Sequence, residues 1–269
     1  MRESGSSIGA RAQPKRAMWP WHLLLLSAVL GAWYALTRSG LLPSFFFGEP
    51  LVVAQRIAGW FITGKIFPHL GVTLLETVLA FAIGTALGLA VGLWLALSPF
   101  ASRLLNPYIT AINSMPRVIL APIFAVWFGL GIASKVMLGV TLVFFIVFFS
   151  VYNGVREVSP VVLSNARMLG AGRRQLLRHV YLPSATAWVF SSLHASVGMA
   201  FVGAIVGEYL GSSRGVGYLI LQAEGVFDID TVLAGIAVLT ACALILDRVV
   251  SIAERRLLRW RPGSSAEHY

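Results

Sequence analysis

Apolar residues crowd into six stretches of the chain, at about 19–36, 69–97, 104–129, 134–153, 185–210 and 230–251. Each approaches or exceeds the roughly 20 residues a helix needs to cross the hydrocarbon core of a bilayer. Between them the pattern turns polar. The segment 41–65 carries Pro43, Glu49, Pro50, Arg56 and Lys65, with Arg56 and Lys65 flanking a short amphipathic piece, and it reads as external. The segment 156–184 is a long, arginine-rich interruption. A basic tail with Arg2, Arg11, Lys15 and Arg16 precedes the first run. That run is long for a signal sequence, and no small-x-small cleavage site follows before Thr37–Arg38, so it reads as a retained first helix.

Composition agrees. Of 269 residues, 57% are hydrophobic and 12% charged, and the mean hydropathy is +0.79. A soluble domain needs about 25% charged residues to wet its surface, so this chain uses lipid as part of its solvent. The net charge of +10 would suggest nucleic acid in a soluble protein. Here it has a topological cause, and no nucleic-acid partner is expected. With the N-terminus placed inside, the inner segments hold fifteen Lys/Arg: the tail, Arg103, the 156–184 loop and the end from Arg248 onward. The outer segments hold five: Arg38, Arg56, Lys65, Lys135 and Arg214. The positive-inside rule then puts both termini in the cytoplasm and demands an even number of spans. The expected organisation is an all-α integral membrane protein with six transmembrane helices. Residues 1–18 form a cytoplasmic tail, 19–252 the transmembrane domain and 253–269 a second cytoplasmic tail.

Gly84, Gly88 and Gly92 in the second span, and Gly203, Gly207 and Gly211 in the fifth, repeat every four residues. Lipid supplies no hydrophobic drive between helices, so small residues that let backbones approach are the expected glue, here within one chain. The third span is interrupted by Pro107, Pro116 and Pro122. Proline removes a backbone donor and kinks a helix. Freed carbonyls at membrane depth are tolerated inside protein or beside water. This helix is therefore expected in the bundle interior or along a pathway. Arg117 lies in it, and an intramembrane charge faces a cavity or a partner. Glu76, in the second span, could meet it at similar depth; Glu76, Pro116 and Arg117 are the candidate path residues.

The loop 156–184 has too much pattern for a connector. Pro160 can open a helix carrying Val161, Val162, Asn165, Ala166 and Leu169, which Gly170 and Gly172 break. A second helical stretch, Arg173–Tyr181, puts Leu176, Leu177 and Val180 on one side and Arg173, Arg174 and Arg178 mostly on the other, and Pro183 ends it. Such a pair of short helices can lie on anionic lipid or dock to a soluble partner.

In this loop Ala166, Gly170, Ala171, Leu182 and Pro183 stand at the spacing of the "EAA" loop of bacterial ABC-importer permeases: an EAA triplet, a glycine and a distal LP. The stretches SMPRVILAPIFAVWFGLGIASKV (114–136), FFIVFFSVYNGVREV (144–158), GEYLGSSRGVGYLI (207–220) and DRVVSIAERRLLRW (247–260) resemble further parts of that family. The likeness extends from residue 69 onward and is nearest to permeases of nitrate, sulfonate and taurine importers. It implies the type I importer permease fold and a coupling helix docked into a groove of the ATPase. The docking residues it implies are Ser164, Asn165, Ala166, Arg167, Gly170, Ala171, Gly172, Leu182 and Pro183. Ser164 replaces the family's glutamate and Asn165 its first alanine. Glu76 stands where relatives often carry a basic residue.

The resemblance implies a bacterial inner-membrane permease that is not itself an enzyme. No Walker A sequence is present, so this chain binds no cofactor, and ATP-Mg belongs to a separate ABC ATPase dimer. The other implied partners are a periplasmic or lipid-anchored solute-binding protein, a second permease copy (most simply a homodimer) and membrane lipid. The cargo would be a small organic anion such as an aliphatic sulfonate, taurine or nitrate. The alternative is a secondary transporter or channel working without an ATPase; against it stands the lack of paired broken helices in inverted repeat. An intramembrane enzyme is disfavoured, because His69, His179 and His194 lack metal-ligand spacing. The single cysteine, Cys242, cannot form an intramolecular disulfide.

Overall fold

The computed structural model describes residues 19–257, apart from the side chains of residues 185–187, 189–191, 253–255 and 257. The N-terminal tail with Arg2, Arg11, Lys15 and Arg16, and the C-terminal Arg259 and Arg261, lie outside the described residues. The described chain is helical throughout, with elements α1 (Trp19–Arg38), α2 (Ser44–Phe47), α3 (Pro50–Ile62), α4 (Ile66–Leu97), α5 (Pro99–Asn113), α6 (Ala121–Phe128), α7 (Ile132–Arg156), α8 (Pro160–Met168), α9 (Arg173–Leu176), α10 (Leu182–Leu210), α11 (Val216–Gly225) and α12 (Ile229–Leu257). A 3-10 turn, Arg117–Leu120, precedes α6, and a π turn, Leu177–Tyr181, joins α9 to α10. Among the described residues five helices are long and apolar enough to cross a membrane, and α5 with α6 makes a sixth, broken span.

The centre is α7, with fifteen of its 25 residues buried. Two helices press on it through small residues. On α4, a Cβ added to Gly84 would lie 2.7 Å from Val143 Cβ, one on Gly88 2.9 Å from Val147 Cβ, and one on Gly92 3.0 Å from Val151 Cβ. The partners step by four as the glycines do, and in the same direction, so α4 and α7 run parallel. On α10, Gly203 approaches Gly139 and Gly207 approaches Lys135, Gly211 just past its end approaches Leu130, and Gly154 of α7 meets Trp188. There the numbers run oppositely, so α10 is antiparallel to α7. The glycine spacings therefore serve packing inside the chain, as expected. Close approach at these positions requires that no side chain intervene, and dispersion along the seam is the gain.

Parallel α4 and α7 require the chain to return to its starting end between them, and α5 and α6 carry it back. They do so bent by 87°. The expectation of a single kinked helix needs correction. Pro107 is accommodated inside α5, the break falls at Pro116, which caps the 3-10 turn, and Pro122 stands in the first turn of α6, where its missing N–H costs nothing. Of the two expected positions, bundle interior or along a pathway, the interior one is not found within this protomer. Only Ala101 and Ser102 of α5 are buried, and only Ala121 and Phe124 of α6. The broken span lies on the outside of this protomer, because α7 already occupies the interior.

The outer faces are apolar. Every described side chain of α1 is at least partly exposed, including Leu24, Leu25, Leu26 and Val29. It meets the rest of the chain through α3 and through Trp33 Nε1, which donates to the Phe47 carbonyl at 3.2 Å. The segment 41–65, expected on the outer side, folds as α2 and α3. Asp230, in the first turn of α12, accepts from the Glu49 N–H at 2.6 Å, and Arg56 pairs with Asp228 at 3.4 Å. Ile57 and Trp60 pack with Ile66, Phe201, Val216 and Leu239, closing the end of the bundle opposite the 157–181 loop.

Candidate functional site

Three regions carry polar chemistry: the 157–181 loop, a buried charged centre at the opposite end, and the bend of the broken span.

The loop is two short helices with a sharp hinge. Leu169 caps the C-terminus of α8, after which Gly170 adopts φ +84°. Gly170 N–H donates to the Arg167 carbonyl and Ala171 N–H to the Ala166 carbonyl, both at 3.0 Å. This is a Schellman closure, which satisfies the last carbonyls of a helix and requires a left-handed residue, hence glycine. Ala166 and Ala171 are thus the two ends of one 6→1 backbone hydrogen bond. Gly172 N–H donates to Gln175 Oε1 at 2.8 Å and starts the second helix. Ser164, Asn165, Arg167 and Gly172 are exposed, while Ala166, Ala171, Leu182 and Pro183 are half-buried. The crest of α8 is unusually apolar for a polar loop: Val161, Val162, Met168 and Leu169 are exposed, Leu169 at 88%. Pro183 does not end the second helix as expected. The π turn widens the helix there, with Leu182 N–H reaching back five residues to the Leu177 carbonyl. A wide turn makes room for the ring of Pro183, so α10 starts without interruption.

At the opposite end, Glu76 of α4, Lys135 of α7 and Glu208 of α10 are buried within electrostatic reach of one another. Thr73 Oγ1 donates to Glu208 Oε1 at 2.6 Å, and Gly217 N–H donates to Glu208 Oε2 at 2.7 Å. Val216 N–H donates to Thr73 Oγ1 at 3.0 Å. Lys135 Nζ donates to the carbonyls of Leu130 at 2.6 Å and Gly131 at 2.9 Å. Glu208 thereby caps the N-terminus of α11, where negative charge is favoured. A buried charge is costly unless paired or hydrogen-bonded; here Glu208 and Lys135 hydrogen-bond to neighbouring groups. Sequence reasoning counted Lys135 among outer loop charges and passed over Glu208. A lone carboxylate inside the apolar run 185–210 was the signal available.

Arg117 is not in that centre. Its Nη2 donates to the Asn113 side-chain oxygen and, at 3.2 Å, to the Asn113 carbonyl, and its guanidinium lies 4.6 Å over the Phe145 ring. The expected approach of Glu76 to Arg117 is therefore absent: Glu76 turns inward between α4, α7 and α10, and Arg117 stays at the 87° bend. Around the bend Ser114, Met115 and Pro116 are exposed, as are Val118 and Ile119.

The family described as "Binding-protein-dependent transport system inner membrane component" matches residues 84–259. The putative aliphatic sulfonates transport permease protein SsuC of Bacillus subtilis (strain 168) is 30% identical over 93% of this chain and 92% of its own length. The taurine transport system permease protein TauC of Escherichia coli (strain K12) is 29% identical over 94% and 97%. The riboflavin transport system permease protein RibX of Chloroflexus aurantiacus is 32% identical over 87% and 88%. Among solved structures, an inward-facing MetNI methionine ABC transporter matches with a TM-score of 0.62 at 19% identity, over 74% of this chain and 96% of that one, and this supports the fold.

Proposed function

The chain belongs to the family of binding-protein-dependent transport system inner membrane components, and from that premise we propose how its parts divide the work of an ATP-driven importer. It is a multi-pass bacterial inner-membrane protein and the permease subunit of such a system. In this reading the 157–181 loop is the docking element for a separate ATPase, which binds and hydrolyses ATP-Mg while this chain holds no cofactor.

The observation that carries the reading is the hinge at Gly170. It turns α8 out from the end of the bundle and leaves Val161, Val162, Met168 and Leu169 uncovered. An apolar crest on a polar loop marks a surface made to be covered. The docking contacts would come from Ser164, Asn165, Ala166 and Arg167, held by the turn at Gly170, Ala171 and Gly172. Leu182 and Pro183 would pass the thrust into α10. Because α10 is seamed to α7 through Gly203 and Gly207, a push on the loop moves the core rather than bending the loop alone.

One chain offers one docking loop, whereas an ATPase dimer has two equivalent faces. A second permease copy completes the assembly, its outer faces meeting at exposed spans such as α5 and α6. The bends at Pro116 and Arg117 would then face each other across a shared path. Arg117 would favour an anion there, and Glu76 is withdrawn into the packing. A small organic anion is the cargo this suggests, supported by the sulfonate and taurine relatives and not by the riboflavin one. A solute-binding protein would deliver it to the end of the bundle formed by α2, α3 and the 211–215 segment.

The test is reconstitution. The chain is placed in proteoliposomes with a partner ABC ATPase and a solute-binding protein, and uptake of a radiolabelled alkyl sulfonate is followed. Uptake should require all three components and ATP. Uptake by this chain alone, driven by an ion gradient, would sink the assignment in favour of a secondary transporter.

A further inference from the structure

Between the α4–α5 turn and the docking loop lies an open cleft of about 610 Å³. Arg167 of α8 and Arg173 and Arg174 of α9 line it, together with Ser98 and Tyr181. No carboxylate is among the residues lining it. The two ion pairs seen among the described residues, Arg56–Asp228 and His194–Asp247, involve none of these arginines. Three guanidinium groups around one space repel each other unless an anion enters it. Guanidinium forks match phosphate oxygens in pairs, which separates such a site from one that a chloride ion would fill.

The rest of the wall says what kind of phosphate it is. Leu97, Leu176 and Leu177 also line the cleft. Leu97 is the last residue of α4, a 32-residue span, and Tyr181 immediately precedes α10. The cleft therefore sits where membrane helices leave the bilayer, with an apolar wall toward the spans and arginines beyond. A soluble anion has no use for the apolar wall, whereas a phospholipid needs both parts. Basic pockets between transmembrane helices at this level hold anionic lipid headgroups. The exposed crest, Val161, Val162, Met168 and Leu169, lines no part of the cleft; Arg167, at the edge of the docking element, is the one docking residue that reaches into it, and Arg173 and Arg174 belong to the cleft alone.

We propose that this cleft binds the headgroup of an anionic phospholipid, gripped by Arg167, Arg173 and Arg174, and that the bound lipid ties the docking loop to the membrane surface. The proposal rests on the permease reading only for placing this end of the bundle at the bilayer boundary.

Native mass spectrometry of the full-length chain in detergent, titrated with phosphatidylglycerol or phosphatidylcholine, tests it without any ATPase. Its outcome is thus independent of the transport assay above. The wild type should retain phosphatidylglycerol at least about tenfold better than phosphatidylcholine, a difference one charge-assisted contact can supply. Arg173→Gln with Arg174→Gln should abolish that preference, and the paired lysine variant should restore it in part. Arg178→Gln removes the same charge one turn away, outside the cleft lining, and should leave the preference unchanged. Three results would overturn the proposal: no preference in the wild type, an equal loss in Arg178→Gln, or equal occupancy by glycerophosphoglycerol, which has the headgroup and no acyl chains. So would a double variant that keeps the full preference for phosphatidylglycerol, because the arginines would then not be what holds the lipid.

Discussion

Thr73 Oγ1 donates to Glu208 Oε1 at 2.6 Å while accepting from Val216 N–H at 3.0 Å. One hydroxyl on α4 thus holds both the end of α10 and the start of α11. Replacing it with valine keeps the shape but strips a buried carboxylate oxygen of a donor and orphans a backbone N–H. Thr73→Val should destabilise the purified protein by about 2 kcal/mol, read as a lowered thermal midpoint, whereas Thr73→Ser should stay near wild type. An unchanged midpoint for valine would mean that the hydroxyl is dispensable.

The glycine seam makes a sharper test within one helix. A Cβ on Gly88 would meet the Phe144 carbonyl at 2.8 Å and Val147 Cβ at 2.9 Å, but a Cβ on Gly71 would meet nothing within 4 Å. Gly88→Ala should cost about 1–3 kcal/mol by forcing α4 from α7. Gly71→Ala should be neutral or slightly favourable, since alanine is the better helix former. Equal thermal midpoints for the two variants would refute the parallel α4–α7 packing.

At the hinge, Gly170 combines φ +84° with an N–H that donates to the Arg167 carbonyl. Proline can supply neither the angle nor the proton. Gly170→Pro should abolish binding-protein-stimulated ATP hydrolysis of the assembled complex while membrane insertion continues. Gly170→Ala, which pays only the left-handed penalty of about 1–2 kcal/mol, should lose coupling in part. Full stimulation in the proline variant would remove the loop from the coupling path.

Arg117 rests on Asn113 and on the Phe145 ring at 4.6 Å rather than on a carboxylate. The contact over the ring contributes about 1 kcal/mol. Arg117→Met should therefore leave the protein folded and assembled but lower the uptake of an anionic solute. Arg117→Lys should keep more of it. Normal transport by the methionine variant would exclude Arg117 from the path.

The glycine repeats and the hinge were legible because each depends on local geometry. Four-residue spacing puts small residues on one helix face, and a glycine between two helical patterns marks a left-handed cap. The three prolines of the third span were not legible in the same way. Pro107 and Pro116 remove the same backbone donor, yet only Pro116 marks the break. The outcome depends on what surrounds each freed carbonyl, and those neighbours come from elsewhere in the chain. Glu208 went unremarked for a related reason, since its partners Thr73 and Gly217 lie on two other helices.

By itself, the sequence determined the all-helical, membrane-spanning class, the helix–glycine–helix form of the loop and the family, because hydropathy, spacing and motif are properties of consecutive residues. Only the tertiary structure decided that α7 is the core and the broken span is not, that Glu76 sits with Lys135 and Glu208 rather than with Arg117, and that Arg167, Arg173 and Arg174 face one cleft beside Leu97. Each of these is a meeting between segments far apart in the chain. Such meetings follow from which faces can approach most closely, and in this protein that is settled where the glycines of α4 and α10 let two helices close on α7.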